Sequence, residues 1–222
     1  VKAQRKTLFG FEGAFCQDLY KIHDLNNNME NVQLGTGLGG IRIRHEIRNN
    51  TIAETGILFK PYLQGFTFSN NPIYGITNAF NAVLIPLRFG YKIKMIGKYF
   101  LVPAAGFTFG INVSPGLASG TGRGKFVSGG TTAEYYYDEN NNITRGFIMA
   151  QPSIAIERTV FGNILASISA SRAFGFNKVH HLDVTYTINN SASMNGKAVS
   201  RGDYWSWGLA LMYPISNLWQ KD

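Results

Sequence analysis

The chain has 222 residues and carries 21 Lys and Arg against 13 Asp and Glu, a formal charge of +8. That length admits one all-β domain or two small ones, and the positive balance suits an anionic partner. The bases are dispersed, with no basic helix and no RNP-type motif, so nucleic acid is not an expected partner; the single cysteine, Cys16, excludes an intramolecular disulfide and a cysteine-based metal site.

Long helical periodicity is absent, while glycine, aromatic and β-branched residues are plentiful, which favours an all-β chain. Eight strands are predicted in order, at 5–15, 34–48, 51–62, 80–94, 98–111, 145–157, 162–174 and 204–216. Short turns join the second strand to the third around Asn49 and Asn50, the fourth to the fifth around Ile96 and Gly97, and the sixth to the seventh around Val160 and Phe161. The other connections, about 16–33, 63–79, 112–144 and 175–203, are long and rich in Asn, Gly, Ser and Thr. They are expected to be solvated loops gathered at one end, with HHLDVTYTIN (180–189) continuing the seventh strand beyond a membrane.

No apolar stretch approaches the roughly 18 to 20 uncharged residues of a membrane-spanning helix. A closed barrel needs only about 9 to 11 alternating residues per crossing, and closure also removes the unpaired edges of an up-and-down sheet. The alternation is clear in GGIRIRHEIRN (39–49), where Arg42, Arg44 and Arg48 share one parity with Glu46 while Ile41, Ile43 and Ile47 take the other. Sorting every strand in this way gives one face with Phe9, Phe11, Ile57, Phe59, Ile85, Leu87, Phe107, Phe109, Ile154, Ile156, Trp205, Trp207 and Leu209, almost free of charge. The opposite face carries Glu12, Arg42, Arg44, Glu46, Glu54, Lys60, Arg88, Lys92, Gln151 and Glu157, with Ser, Gly and Ala between them.

Alternation alone leaves two orientations. A soluble lipocalin-like ligand-binding barrel would bury the apolar set, and a membrane barrel would bury the polar one. The small, mixed-sign polar face suits a narrow lumen, the aromatics fall towards strand ends as in interfacial girdles, and the long loops share one end. These point to an eight-stranded antiparallel up-and-down transmembrane β-barrel forming a single outer-membrane domain over 1–222. Charges in such a lumen must pair, so Glu12, Arg42, Arg44, Glu46, Glu54, Lys60, Arg88, Lys92 and Glu157 are expected to form an ion-pair network that leaves no wide pore. His45 has the lipid-facing parity near the short-turn end.

The pieces FGFEGAF (9–15), GGIRIRHEI (39–47), AETGILFKPY (53–62), AVLIPLRFGYKI (82–93) and KYFLVPAAGFTFGI (98–111) follow one another in the order seen in the small outer-membrane barrels of Bacteroidota called PorT-family or OmpX-like, which the chain resembles. It departs from that pattern in lacking a Glu before Ile85-Pro86, and it differs from many outer-membrane proteins in ending NLWQKD, with Trp219 short of the terminus. The resemblance implies a precursor with a signal peptide, both termini in the periplasm, and long extracellular loops. It further suggests a non-enzymatic accessory subunit of an outer-membrane secretion or biogenesis complex, in contact with outer-membrane lipid and lipopolysaccharide.

Competing activities rest on thinner patterns. His180, His181 and Asp183 with Ser169, Ser171 or Ser191 evoke a lipid A-modifying hydrolase, but the expected His-x-Ser-Asn signature is missing. Adjacent histidines on a strand point to opposite faces and cannot share a metal ion. GTGLGG (35–40) and SGTGRG (119–124) lack the strand-loop-helix context of phosphate loops, so no cofactor is expected. Tyr135, Tyr136 and Tyr137 form either a partner-binding patch or packing within their own loop. A narrow solute channel is the remaining alternative.

Overall fold

The computed structural model describes residues 6–47, 50–68, 71–77, 80–113, 120–128, 130–139 and 144–215. Arg48 and Trp219 lie outside the described residues, as does the side chain of Tyr137. The strands are β1 (Lys6–Asp24), β2 (Met29–Asn31), β3 (Gly35–Glu46), β4 (Thr51–Pro61), β5 (Gln64–Phe68), β6 (Asn71–Thr77), β7 (Asn81–Tyr91), β8 (Ile93–Lys94), β9 (Tyr99–Asn112), β10 (Gly120–Ser128), β11 (Thr131–Glu139), β12 (Gly146–Ala150), β13 (Ser153–Thr159), β14 (Leu165–Gly175), β15 (His180–Ile188) and β16 (Met194–Pro214).

Following antiparallel pairs from β16 through β1, β3, β4, β7 and β9 to β12 with β13, then β14 and back to β16, the sheet closes into a ring of eight strands. Here β12 and β13 act as one barrel strand. Both keep the same register with β9 (Ala150 opposite Phe107, Ser153 opposite Ala104), and the ladder is interrupted only at Gln151-Pro152, where proline has no N–H to donate.

Closure decides what parity alone could not. The charged face is inside and the apolar face outside: Arg44, Lys60 and Glu157 are fully buried, whereas Phe11, Ile57, Ile168 and Leu209 are each more than 60 % exposed. A soluble barrel buries the opposite set. On β9 the outward side chains run from Tyr99 to Ile111, roughly 40 Å along the strand, or about 30 Å of height at the tilt usual for barrels. That height matches a bilayer's hydrocarbon core. Aromatic rings mark the upper rim of the belt, with Phe15, Trp207 and Trp205 stacked side by side at centroid distances of 6.3 and 6.5 Å.

Large charged side chains fit the narrow lumen because their cross-strand neighbours are glycines. Gly10 faces Arg42, Gly40 faces Glu12, Gly56 faces Arg42, and Gly106 faces Arg88. A Cβ at Gly106 would run into the Leu87 carbonyl oxygen, so the strands approach there more closely than any side chain permits.

The connections expected to be solvated loops are largely strand. β1 runs on to Asp24 and β16 begins at Met194, the two pairing along this added length past a register shift between Asp18 and Tyr20. β2, β5 and β6 form a small second sheet, and the hairpin β10–β11 joins β15 and β16. Polar composition concealed these elements because their apolar residues are few and come together only in space. Tyr20, Met29, Phe66, Phe68, Ala133, Leu182, Val184, Tyr186 and Ala198 pack into a buried cluster of their own. The alternation expected for 180–189 is present as β15, which follows β14 along β16 after a slip in register.

Candidate functional site

The lumen is filled in layers. Nearest the short turns, Leu8 packs with Leu165 and Met212, and Ile52 with Val102 and Ala155. Above them Glu54 bridges two arginines, accepting from Arg42 Nη2 at 2.5 Å and from Arg44 Nε at 2.5 Å. Arg44 reaches across the barrel to Glu157, Nη1 to Oε2 at 2.6 Å, with a second bond from Nη2 to Oε1 making a fork. Glu12 sits more loosely, 3.5 Å from Arg42 and 3.7 Å from Arg88. Lys92 and Glu46 form a separate pair at the rim, at 2.7 Å.

Lys60 leaves this group. Its ammonium donates to Asp18 Oδ1 at 2.5 Å, Thr36 Oγ1 at 2.7 Å and the Pro61 carbonyl at 3.0 Å, and lies 4.1 Å from the centre of the Tyr62 ring. Asp18 lies beyond the predicted end of the first strand at residue 15, and its inward parity with Glu12 is the sequence signal that points to it. Beside this group Gln151 accepts from Thr108 (2.6 Å) and donates to Ser171 (3.0 Å), which is bonded to Ser206 (2.6 Å).

Among the described residues the buried cations Arg42, Arg44, Lys60 and Arg88 are matched one for one by Glu12, Asp18, Glu54 and Glu157. Mutual compensation is what allows so much charge in a buried interior, since an unpaired ion there costs several kcal/mol or more. Higher still, Tyr62 stacks on Phe80 at 4.5 Å and meets Phe147 and Tyr204 edge-on at 6.2 and 6.1 Å. Ion layer and aromatic layer together fill this stretch of the lumen with buried side chains.

Above this plug the cap forms a second packed body. The Tyr20 hydroxyl donates to the Val32 carbonyl (2.8 Å) and accepts from the N–H groups of Val32 (2.9 Å) and Gly65 (3.0 Å). Asp24 folds the following turn by accepting from the backbone of Asn26, Asn28 and Met29, and it ties that turn to β15 through the Tyr186 hydroxyl at 2.8 Å. Burial raises the Asp24 pKa, but these hydrogen bonds outweigh it and the carboxyl lies below its ordinary value.

Tyr135 turns inward against Phe66 and Phe68, at 5.5 and 6.1 Å, whereas Tyr136 is exposed. Tyr135 and Tyr136 thus do different things. A recess of about 580 Å³ lies beside them, lined among others by Arg123, Lys125, Glu134, Thr185 and Tyr186.

His180 and His181 point to opposite faces of β15. The first is buried with its ring 6.1 Å from that of Phe80, and the second lies 3.7 Å from Asp183. Burial, then the neighbouring His181, pushes His180 down to about 4. Burial and Lys197 also lower His181, more than Asp183 raises it. GTGLGG lies in β3 and Gly120–Gly124 in β10, so both are strand. Among the described residues no group of three or more His, Cys, Asp or Glu side chains is placed to hold a metal ion.

A neutral buried imidazole has a signed consequence. The unfolded chain takes up the proton first as pH falls below about 6.5, so the stability held in neutral His180 is complete above that pH and is lost on descending towards 4. The cap is expected to loosen by on the order of 3 kcal/mol over this window. Hydrogen exchange corrected for intrinsic rates should show β15 and upper β16 losing protection at about pH 4.5 while β3 and β4 keep theirs. Equal protection of the cap at that pH and at neutrality would contradict it.

No protein-family model matches the sequence, and no curated protein sequence matches it. Among solved structures the outer membrane protein OprG from Pseudomonas aeruginosa is similar over 94 % of this chain and 95 % of that one, at 7 % identity and a TM-score of 0.52. A major outer membrane protein from Thermus thermophilus (92 % and 99 % covered, 9 % identity, TM-score 0.44) and the outer membrane protein AlkL (96 % and 92 %, 9 %, 0.43) are more distant in geometry. The fold is that of a small outer-membrane β-barrel.

Proposed function

We propose that this chain is an integral outer-membrane protein without catalytic activity, a structural or accessory subunit that engages partner proteins through its cap. One contrast carries the reading: the lumen is filled by compensated charge and stacked aromatics, while the cap is an independently packed body presenting Tyr136 beside a wide recess. A filled lumen suits an anchor better than a conduit, and an exposed aromatic flanked by Arg123 is the kind of residue that anchors protein interfaces. On this reading the termini and short turns face the periplasm, the cap faces outward, and the complex is of secretion or biogenesis type, in keeping with the resemblance to PorT-family barrels of Bacteroidota.

The test is purification from native membranes in mild detergent, comparing the natural chain with Y136A/R123A. A stoichiometric partner that is lost from the variant, while barrel folding is retained, supports the reading. A monomer from native membranes, a measurable conductance in planar bilayers, or a histidine-dependent change in lipid A mass would each overturn it.

A further inference from the structure

Where β14 hands over to β15 beside β16, the barrel wall has a step. Ala173 pairs with Tyr204, but His180 pairs with Ser200, so the chain from Phe176 to Val179 leaves the ladder. Gly202 adopts a left-handed φ of 80° opposite this departure, and Gly175 passes so close to the Arg201 carbonyl that no Cβ could fit between them. The step opens a notch of about 180 Å³ on the outer wall, lined by Lys21, Arg172, Lys178 and Arg201, with Asp203 as its carboxylate.

Its position and charge are both unusual. Arg172 pairs with Trp205 across the strands, and its guanidinium lies 5.0 Å from the Trp205 ring and 5.0 Å from the Phe174 ring, at the upper aromatic rim of the lipid-facing belt. Its Nη1 is shielded and, among the described residues, has no hydrogen-bond partner. None of the four cations forms an ion pair among the described residues, and Asp203 directs one oxygen to the Gly175 N–H at 2.5 Å. Further round the same wall Lys197 is engaged by Asp183 at 3.1 Å, so the surplus is local to the notch. Four cations against one carboxylate at the height of lipid head groups, directly over apolar wall, match an anionic head with acyl chains below it.

We propose that this notch binds the phosphate of an anionic membrane lipid, with Arg172 and Arg201 donating to the phosphate oxygens, Lys21 and Lys178 neutralising its charge, and the acyl chains lying on Trp205, Phe174 and the belt beneath them. The inference rests on the bilayer span alone and not on which end faces outward or on any partner of the cap. It places one lipid at a fixed sector of the wall.

The probe is phosphatidylglycerol in phosphatidylcholine nanodiscs, with retained lipid counted by native mass spectrometry after release into detergent. One phosphatidylglycerol is expected to be held in preference to phosphatidylcholine, with affinity falling at least about tenfold in R172Q/K178Q/R201Q, as for the loss of charge-assisted hydrogen bonds. K94Q/K98Q, at the opposite rim, should bind as the natural chain does. R172K/R201K, which keeps the charge, should retain most binding and covers the case in which the triple variant folds poorly. Equal retention by the triple variant, absence of preference over phosphatidylcholine, or displacement by millimolar inorganic phosphate as readily as by lipid would overturn the proposal, the last assigning the notch to free phosphate.

Discussion

Replacing Glu54 with alanine is expected to destabilise the barrel by about 3–5 kcal/mol, the cost of leaving buried charge without its counter-ion. Among the described residues Glu54 is the one carboxylate that holds both Arg42 and Arg44, at 2.5 Å each. Without it Arg44 keeps Glu157, but Arg42 is left with the looser contact to Glu12 at 3.5 Å. The rim pair is the control: Lys92 and Glu46 are partly exposed, so Glu46→Ala should cost less than about 1 kcal/mol. Urea unfolding in lipid vesicles, followed by the fluorescence of Trp205 and Trp207, measures both. Equal midpoints for E54A and E46A would mean that the ion layer does not hold the lumen together.

Leu209→Arg is the second large effect, and it tests which solvent meets the outer wall. Leu209 lies on the outward face of β16 between the rim residues Trp205 and Tyr213 and is 64 % exposed. An arginine near the bilayer midplane on a barrel's lipid face costs about 2–4 kcal/mol, falling to near zero at the interfaces. In water the same change would be neutral or mildly favourable, since it removes exposed apolar surface. The expected result is therefore a loss of stability in vesicles that shrinks when the arginine is moved to position 213. A wild-type midpoint for L209R in vesicles would remove the lipid-facing assignment of β16.

The two predictions draw on opposite faces of one alternation, and they differ in how much of each was legible in the sequence. Parity is a local property: the two-residue period of a strand places Ile41 and Arg42 on opposite sides whatever the rest of the chain does. The division into a charged and an apolar face and the eight barrel strands follow from it, and the short gaps between those strands give the tight turns. So does the grouping of Glu12, Arg42, Arg44, Glu54, Lys60, Arg88 and Glu157 on a common face.

Pairing within that face is not local. Arg44 and Glu157 are separated by 113 residues and meet only because register and strand tilt bring β3 and β13 to the same height across the lumen. For the same reason Lys60 finds Asp18 instead of one of the glutamates, and Glu46 and Lys92 sit apart at the rim.

The cap was hidden for a different reason. Its segments carry many polar residues around a few scattered apolar ones, a composition that reads as solvated loop until Phe66, Phe68, Tyr135 and Tyr186 converge from separate connections. The basic notch has no sequence signature either, because Lys21, Arg172, Lys178 and Arg201 come from three parts of the chain and meet at a slip in register. By itself the sequence determined that this protein is a barrel of strands with one greasy and one charged face. The small mixed-sign polar face, the strand-end aromatics and the one-ended long connections already pointed to the charge inside; only the closed ring decided which charges meet, because register and tilt set the height at which side chains converge across a narrow lumen.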